Sequence, residues 1–156
     1  MANELTHGFN KENVNSLFGQ SVNDAYVTSV DLSTEEGRFT LLALSQNEPD
    51  YKLSDFIGKQ ITFSDFYMEK VQIEDSVKKG KVVDSIRTVL MTPDGDIIQG
   101  TSEGLAKSVM MIVNCLGMPR DWDSEYWFEV KQVETRLGRR YFKLQLARGT
   151  DGRDFD

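Results

Sequence analysis

Apolar positions along this chain come in short clusters separated by turn-forming residues, a pattern of strands more than of long helices. Residues 24–31 (DAYVTSVD) read as a strand, STEEG as a turn, and residues 38–46 as a second strand. The near-continuous apolar run from Phe39 to Leu44 suggests that this second strand is covered on both faces. QITFSDFYMEKVQI, from Gln60 to Ile73, is long and its alternation slips. Ile61 and Phe63 share one parity, while Phe66 and Met68 take the other. A strand that changes apolar face partway bulges or coils, as strands of small closed barrels do. VVDSIRTVLMT follows with Val82, Ile86 and Leu90 on one face, then a tight turn through Pro93-Asp94-Gly95 and the short strand IIQG.

The punctuation then becomes helical. Thr101 or Ser102 can cap an N-terminus, Glu103 suits the first turn, and Leu105, Val109, Ile112 and Leu116 form one stripe beside Ala106 and Val113. Gly117 and Pro119 stop this helix. Cys115 falls in the helical pattern and reads as a buried, inert thiol. After RDWDS come two alternating segments, EYWFEVKQVE and RRYFKLQLA, joined by TRLGR. Both follow the pattern of half-buried antiparallel strands.

From Gln60 onward the order is strand, strand, strand, helix, strand, strand. That is the order of an oligonucleotide-binding (OB) fold, a five-stranded barrel with one helix between strands 3 and 4. The expected fold is therefore mainly β, an OB-like barrel carrying an N-terminal β-hairpin extension. Residues 1–20 form an arm, in which Val14 to Phe18 suits a short amphipathic helix; residues 21–148 form a single OB-like domain, and residues 149–156 an acidic flexible tail.

Composition narrows the function. The 156 residues suit one domain, and no apolar run approaches the ~18 residues of a membrane span. MANELTHGFNKEN lacks the basic patch and apolar core of a signal peptide, so the expected location is cytoplasmic. One cysteine excludes an internal disulfide and a cysteine-based zinc site. The single histidine, His7, lies in a polar N-terminal segment and makes a poor catalytic base. Asp94 with Asp96, or Asp121 with Asp123, would be the magnesium ligands of a nuclease. Turn chemistry already explains the first pair, and neither has a neighbouring basic or histidine partner. The chain reads as a non-enzyme without cofactor or metal.

Charge is unevenly placed. Net charge is −7, yet Trp127 to Gly149 holds six Lys and Arg against two Glu. A polyanion responds to the local field within about 10 Å, not to the total. Alternation sends Phe128, Val130, Phe142, Leu144 and Leu146 inward and Trp127, Lys131, Tyr141, Lys143 and Gln145 outward, with Arg136, Arg139 and Arg140 at the hairpin tip. A second set lies in the earlier hairpin: Lys78, Lys79 and Lys81 in its loop, and Tyr67, Lys70 and Arg87 on its strands. Rings for unstacked bases interleaved with cations for phosphates suit single-stranded nucleic acid, with little sequence preference. The plainer readings are a solvated lysine loop, Trp127 and Tyr141 covered by the N-terminal strands or another subunit, and Arg139 or Arg140 paired with Glu134. A protein-interaction barrel with an aromatic surface, serving a replication or mobile-element complex, is the alternative function.

Beyond these patterns, GKQITFSDFY, IRTVLMTPDGDIIQGTSEGLAKSV and FEVKQVETRLGRRYFKLQL resemble the single-stranded DNA-binding proteins of small protein-primed bacteriophages of Gram-positive hosts. The upstream VDLSTEEGRFTLLALSQ resembles that family's opening hairpin. The resemblance implies an OB-like protein that coats and protects single-stranded DNA during replication, without cofactor or catalysis. It points to Tyr67, Trp127 and Tyr141 as the stacking aromatics. The N-terminal arm and the RDWDSEYW insertion depart from the pattern and leave the oligomeric state open, a homo-oligomer included. The tail GRDFD faintly resembles the acidic tips with which bacterial single-strand binders recruit replication proteins, but lacks their terminal Pro-Phe; a solvated end is the plainer reading.

Overall fold

A computed structural model describes residues 26–75 and 77–147. The arm, the Val14–Phe18 segment, His7 and the acidic tail lie outside the described residues. The described elements are, in order, β1 (Tyr26–Thr28), α1 (Glu35–Gln46), β2 (Tyr51–Lys52), a 3-10 turn (Leu53–Phe56), β3 (Gln60–Ile61), β4 (Asp65–Glu74), β5 (Val82–Met91), β6 (Ile97–Thr101), α2 (Glu103–Leu116), a second 3-10 turn (Pro119–Asp121), β7 (Phe128–Glu134) and β8 (Arg140–Leu146). None of the described helices is long and apolar enough to cross a membrane.

The fold is mainly β. One five-stranded sheet has the order β1-β4-β5-β6-β2, and a three-stranded sheet has the order β3-β7-β8. The order expected from Gln60 onward is present with one change: the long first strand is two strands in different sheets. β4 pairs with β5 along its full length, whereas β3 pairs with β7, Ile61 standing opposite Phe128. This explains the slip in the alternation. Ile61 belongs to one sheet, Phe66 and Met68 to the other, and Phe63 to the link between them, and all four side chains are buried.

Two expectations about the architecture need correction. The sheets do not close into a barrel, since no described ladder joins β6 to β8. Instead the free edge of β8 is met by α2: Ser102 Oγ accepts from the Phe142 N–H at 3.2 Å and Ser108 Oγ from the Leu144 N–H at 3.2 Å. Satisfied in this way, the edge needs no further strand.

The N-terminal hairpin is a strand followed by a helix. Thr34 Oγ1 accepts the Gly37 N–H at 3.0 Å, and Glu35 and Glu36 occupy the first turn, where carboxylates are favoured. Leu41 and Leu44, one helical turn apart, pack with Val30, Tyr67, Val89 and Ile97 against the outer face of the large sheet. Phe39 and Leu42, which made the run look like a buried strand, point to solvent at 63% and 49% exposure.

The expected second helix is present. Ser102 caps it by accepting the Leu105 N–H at 3.0 Å, and Leu105, Ala106, Val109, Met110 and Val113 are buried. Cys115 on this helix is exposed, contrary to expectation. The main core lies between the two sheets and α2, around Phe63, Phe66, Met68, Ile86, Leu90, Leu105 and Phe128. Gly100 permits this packing: a Cβ there would meet Leu105 Cδ2 at 2.8 Å and Leu53 Cβ at 3.1 Å.

One turn design occurs twice. In Thr92–Asp96 and again in Thr135–Arg139, the threonine N–H donates to the carbonyl of the fifth residue, whose own N–H returns to the threonine Oγ1. The fourth residue is glycine with φ of +93° or +84°, a conformation other residues avoid. The sequence signature Thr-x-x-Gly-x therefore specifies both hairpin loops.

Candidate nucleic-acid interface

The hairpin β4–β5 ends in a loop containing Lys78, Lys79 and Lys81, all exposed, with Gly80 at φ +85°. The hairpin β7–β8 ends in Thr135–Arg139, with Arg136 exposed. A salt bridge ties the two tips together. Arg139 Nη2 donates to Asp75 Oδ2 at 2.9 Å and Nε donates to Oδ1 at 3.3 Å, so the planar fork grips both carboxylate oxygens. Asp75 is 3% exposed and also accepts the Val77 N–H at 3.0 Å. These donors, the guanidinium foremost, hold its carboxyl down at about 2.

Asp75 leads directly into the lysine loop, and Arg139 stands between Arg136 and Arg140. The clasp thus brings five other cations, Lys78, Lys79, Lys81, Arg136 and Arg140, to one end of the molecule. A groove of 680 Å³ opens beside it, lined by Arg139, Arg140 and Tyr141, by Lys107, and by the carboxylates Glu74, Asp84 and Glu103. Tyr141 is half-buried because its ring lies on Gly104, where a Cβ would overlap the ring atoms.

The outer face of the β7–β8 hairpin leads from this end. Its cross-strand pairs are Val133 with Tyr141, Lys131 with Lys143, and Glu129 with Gln145. Both lysines are exposed, while Phe128, Val130 and Leu144 on the opposite face are buried. Trp127 is on the outer side at 38% exposure. It lies at the far end of β7, about 23 Å from Glu134 at ~3.3 Å per residue. There it lines a different groove of 510 Å³ with Tyr51, Phe56, Ile61, Pro93 and Ile98. The charged residues of that groove are Asp94, Asp96 and Glu125, and it has no Lys or Arg.

Three residues expected at the interface are engaged elsewhere. Tyr67 is 7% exposed, packed beneath α1, so its ring does not offer a stacking surface. Its hydroxyl donates to Glu69 Oε1 at 2.6 Å; burial first, then this bond to a carboxylate, raises its pKa above the ordinary tyrosine value. Arg87 donates to Glu69 Oε2 at 3.1 Å and to Gln99 Oε1 at 3.2 Å, its charge already matched across the sheet. Lys70 reaches Asp84 at 3.6 Å. The structure therefore groups Lys78, Lys79, Lys81, Arg136, Arg139, Arg140 and Tyr141, extends the group through Lys131 and Lys143, and separates Trp127, Tyr67 and Arg87 from it, while Lys70 is tied to Asp84, which lines the groove beside the clasp.

Sequence reasoning missed Lys107, whose place in the groove depends on α2 lying against β8, and it offered Glu134, not Asp75, as a possible partner of Arg139. The acidic groove was missed too, because Tyr51 and Phe56 lie in a stretch that reads only as a connection. Among the described residues no cluster of three or more His, Cys, Asp or Glu side chains is placed to hold a metal ion. Comparison with protein-family models, with curated proteins and with solved structures finds no match to this chain.

Proposed function

We propose that this chain is an OB-like protein that binds single-stranded DNA without sequence preference and protects it during replication, as the phage family it resembles would imply. The reading treats β3 and β4 as the split first strand of that fold, β5 and β6 as the second and third, and β7 and β8 as the last two. Its main support is the Asp75–Arg139 clasp, which joins the two loops that carry oligonucleotide contacts in OB folds. Five further cations at that end, with Lys131 and Lys143 continuing along the hairpin, provide phosphate contacts; the exposed part of Tyr141 provides a ring for a base. The acidic remainder of the chain disfavours a polyanion elsewhere, which confines the strand to this track.

The test is fluorescence anisotropy of end-labelled oligo-dT titrated with protein over a salt series. Phosphate contacts release counterions, so log affinity falls linearly with log salt, by about 0.7 per contact for a single strand. Replacing Lys78, Lys79 and Lys81 with Ala together should weaken binding and flatten that slope. Absent or salt-independent binding defeats the proposal.

A second reading has its own observation. The groove around Tyr51, Phe56 and Trp127 is lined largely by apolar and aromatic side chains, and its only charged residues are carboxylates, which repels phosphates and suits a basic, apolar segment of another protein. If oligo-dT binding is absent, a protein-interaction module of a replication or mobile-element complex becomes the better description.

A further inference from the structure

Two apolar features of this molecule face solvent. The first is a ridge on α1. Phe39 and Leu42 are three residues apart and so share one face of the helix, with Glu35 one turn before Phe39 on that face. All three side chains are exposed. From Glu35 to Leu42 the ridge is about 10 Å long at ~1.5 Å per residue.

The second is a groove of 370 Å³ between α2 and β8. Met111, Ile112, Cys115 and Leu116 of α2 form one wall and Leu146 of β8 the other, and Lys143 is the only charged residue described there. Met111 is 63% exposed, and Cys115, Leu116 and Leu146 are exposed as well. The bond from the Leu144 N–H to Ser108 Oγ fixes one end beside Lys143. From that end the groove runs about 12 Å along α2 to Leu116 and about 10 Å along β8 to Leu146. Apolar surface concentrated in this way marks contact with another molecule.

Ridge and groove match in length, in shape and in charge. With Glu35 set at the Lys143 end, Phe39 and Leu42 fall over the apolar wall of α2. They do not meet within one molecule. Val89 turns into the cluster beneath α1 while its neighbour Leu90 turns into the core shared with α2, so the large sheet stands between the two helices. We propose that the α1 ridge of one copy of this chain seats in the α2–β8 groove of the next, joining copies head to tail. The contact is heterologous: each copy added brings a further ridge or groove, so assembly continues past a dimer into open chains or rings. One helix face buries less than the ~1,200–2,000 Å² of stable complexes, so assembly requires high protein concentration. Lys143 alone is common to this contact and to the DNA track, so the two readings fail separately.

Sedimentation velocity of the full chain over a wide concentration range tests it. The weight-average sedimentation coefficient should rise past that of a dimer. Phe39→Lys and Met111→Glu place charges at exposed helical positions, so both variants should keep the parent circular dichroism spectrum, and each alone should be monomeric. Mixed in equal amounts they should form a dimer and nothing larger, because one supplies an intact groove and the other an intact ridge. Cys115 reports from inside the groove: its alkylation by a maleimide should slow as the parent chain is concentrated and keep one rate in either variant. Monomers at every concentration, growth that ends at a dimer, variants that still associate, or a mixture that stays monomeric would overturn the proposal. So would a Cys115 shielded from the reagent in the dilute monomer, which would give the groove to another segment of the same chain.

Discussion

Lys131 stands directly opposite Lys143 on the exposed face of the β7–β8 hairpin. Like charges in that position destabilise a sheet, whereas a lysine facing a glutamate would support it. Lys143→Glu should therefore raise stability by about 0.2–1 kcal/mol and at the same time weaken oligonucleotide binding. Thermal melts and anisotropy titrations on one preparation check both halves. A variant that gains stability and keeps full affinity would remove these lysines from the binding track.

The contact between Tyr141 and Gly104 gives a second prediction. Alanine is ordinarily the better helix former by ~1 kcal/mol, so Gly104→Ala would stabilise α2 if space allowed. Its Cβ would lie 2.9 Å from Tyr141 Cγ and 3.0 Å from the Phe142 carbonyl oxygen. Overpacking of this kind costs about 1–3 kcal/mol, so net destabilisation is expected. Tyr141→Ala in the same chain should recover most of the loss, and a double-mutant cycle by urea denaturation measures the coupling.

Neighbouring rings on β7 should behave differently. Phe128 is 1% exposed within the main core, and Phe128→Ala should cost about 3–5 kcal/mol. Phe142, half-buried at the margin of that core, should cost less than Phe128, although its alternation alone would place it fully inside. Trp127→Ala should leave the folding midpoint close to that of the parent chain. Chemical denaturation of the three variants ranks them.

The clasp responds to pH in a defined direction. Asp75 ionises at about 2 in the folded chain against an ordinary value of 3.8, so the folded state binds this proton less readily than the unfolded state. Its contribution to stability is fully present above pH 4 and disappears as the pH falls from about 4 to about 2. Melting temperatures of the parent chain and of Asp75→Asn should differ most above pH 4 and converge below it. A constant difference across that window would show that the carboxylate charge is not what joins the tips.

How much of this was legible before the structure depends on what each residue's neighbours are. α2 was readable because its stripe, its Ser102 cap and its Gly117 stop are local signals. β7 was readable because one face is buried and one is not, so alternation alone sorts Phe128 and Val130 from Lys131; on β8 the same alternation holds at Leu144 but fails at Leu146, which was expected inward and is 41% exposed. α1 was misread because four of its apolar residues adjoin one another in sequence, and only tertiary packing selects Leu41 and Leu44 over Phe39 and Leu42. That error carried over to Tyr67. Parity correctly set it on the face away from the main core, but a helix covers that face and a strand does not. The Asp75–Arg139 pair spans 64 residues and depends on where two hairpins end, which no local pattern encodes.

Only Thr62, Phe63 and Ser64 separate β3 in one sheet from β4 in the other. The link is anchored as well as short, since Thr62 Oγ1 donates to the Tyr126 carbonyl at 2.7 Å and the Ser64 N–H to the Met91 carbonyl at 2.7 Å. Neither layer can peel away while its neighbour stays intact, because three residues leave no slack. Heat or denaturant should accordingly melt this protein in one step.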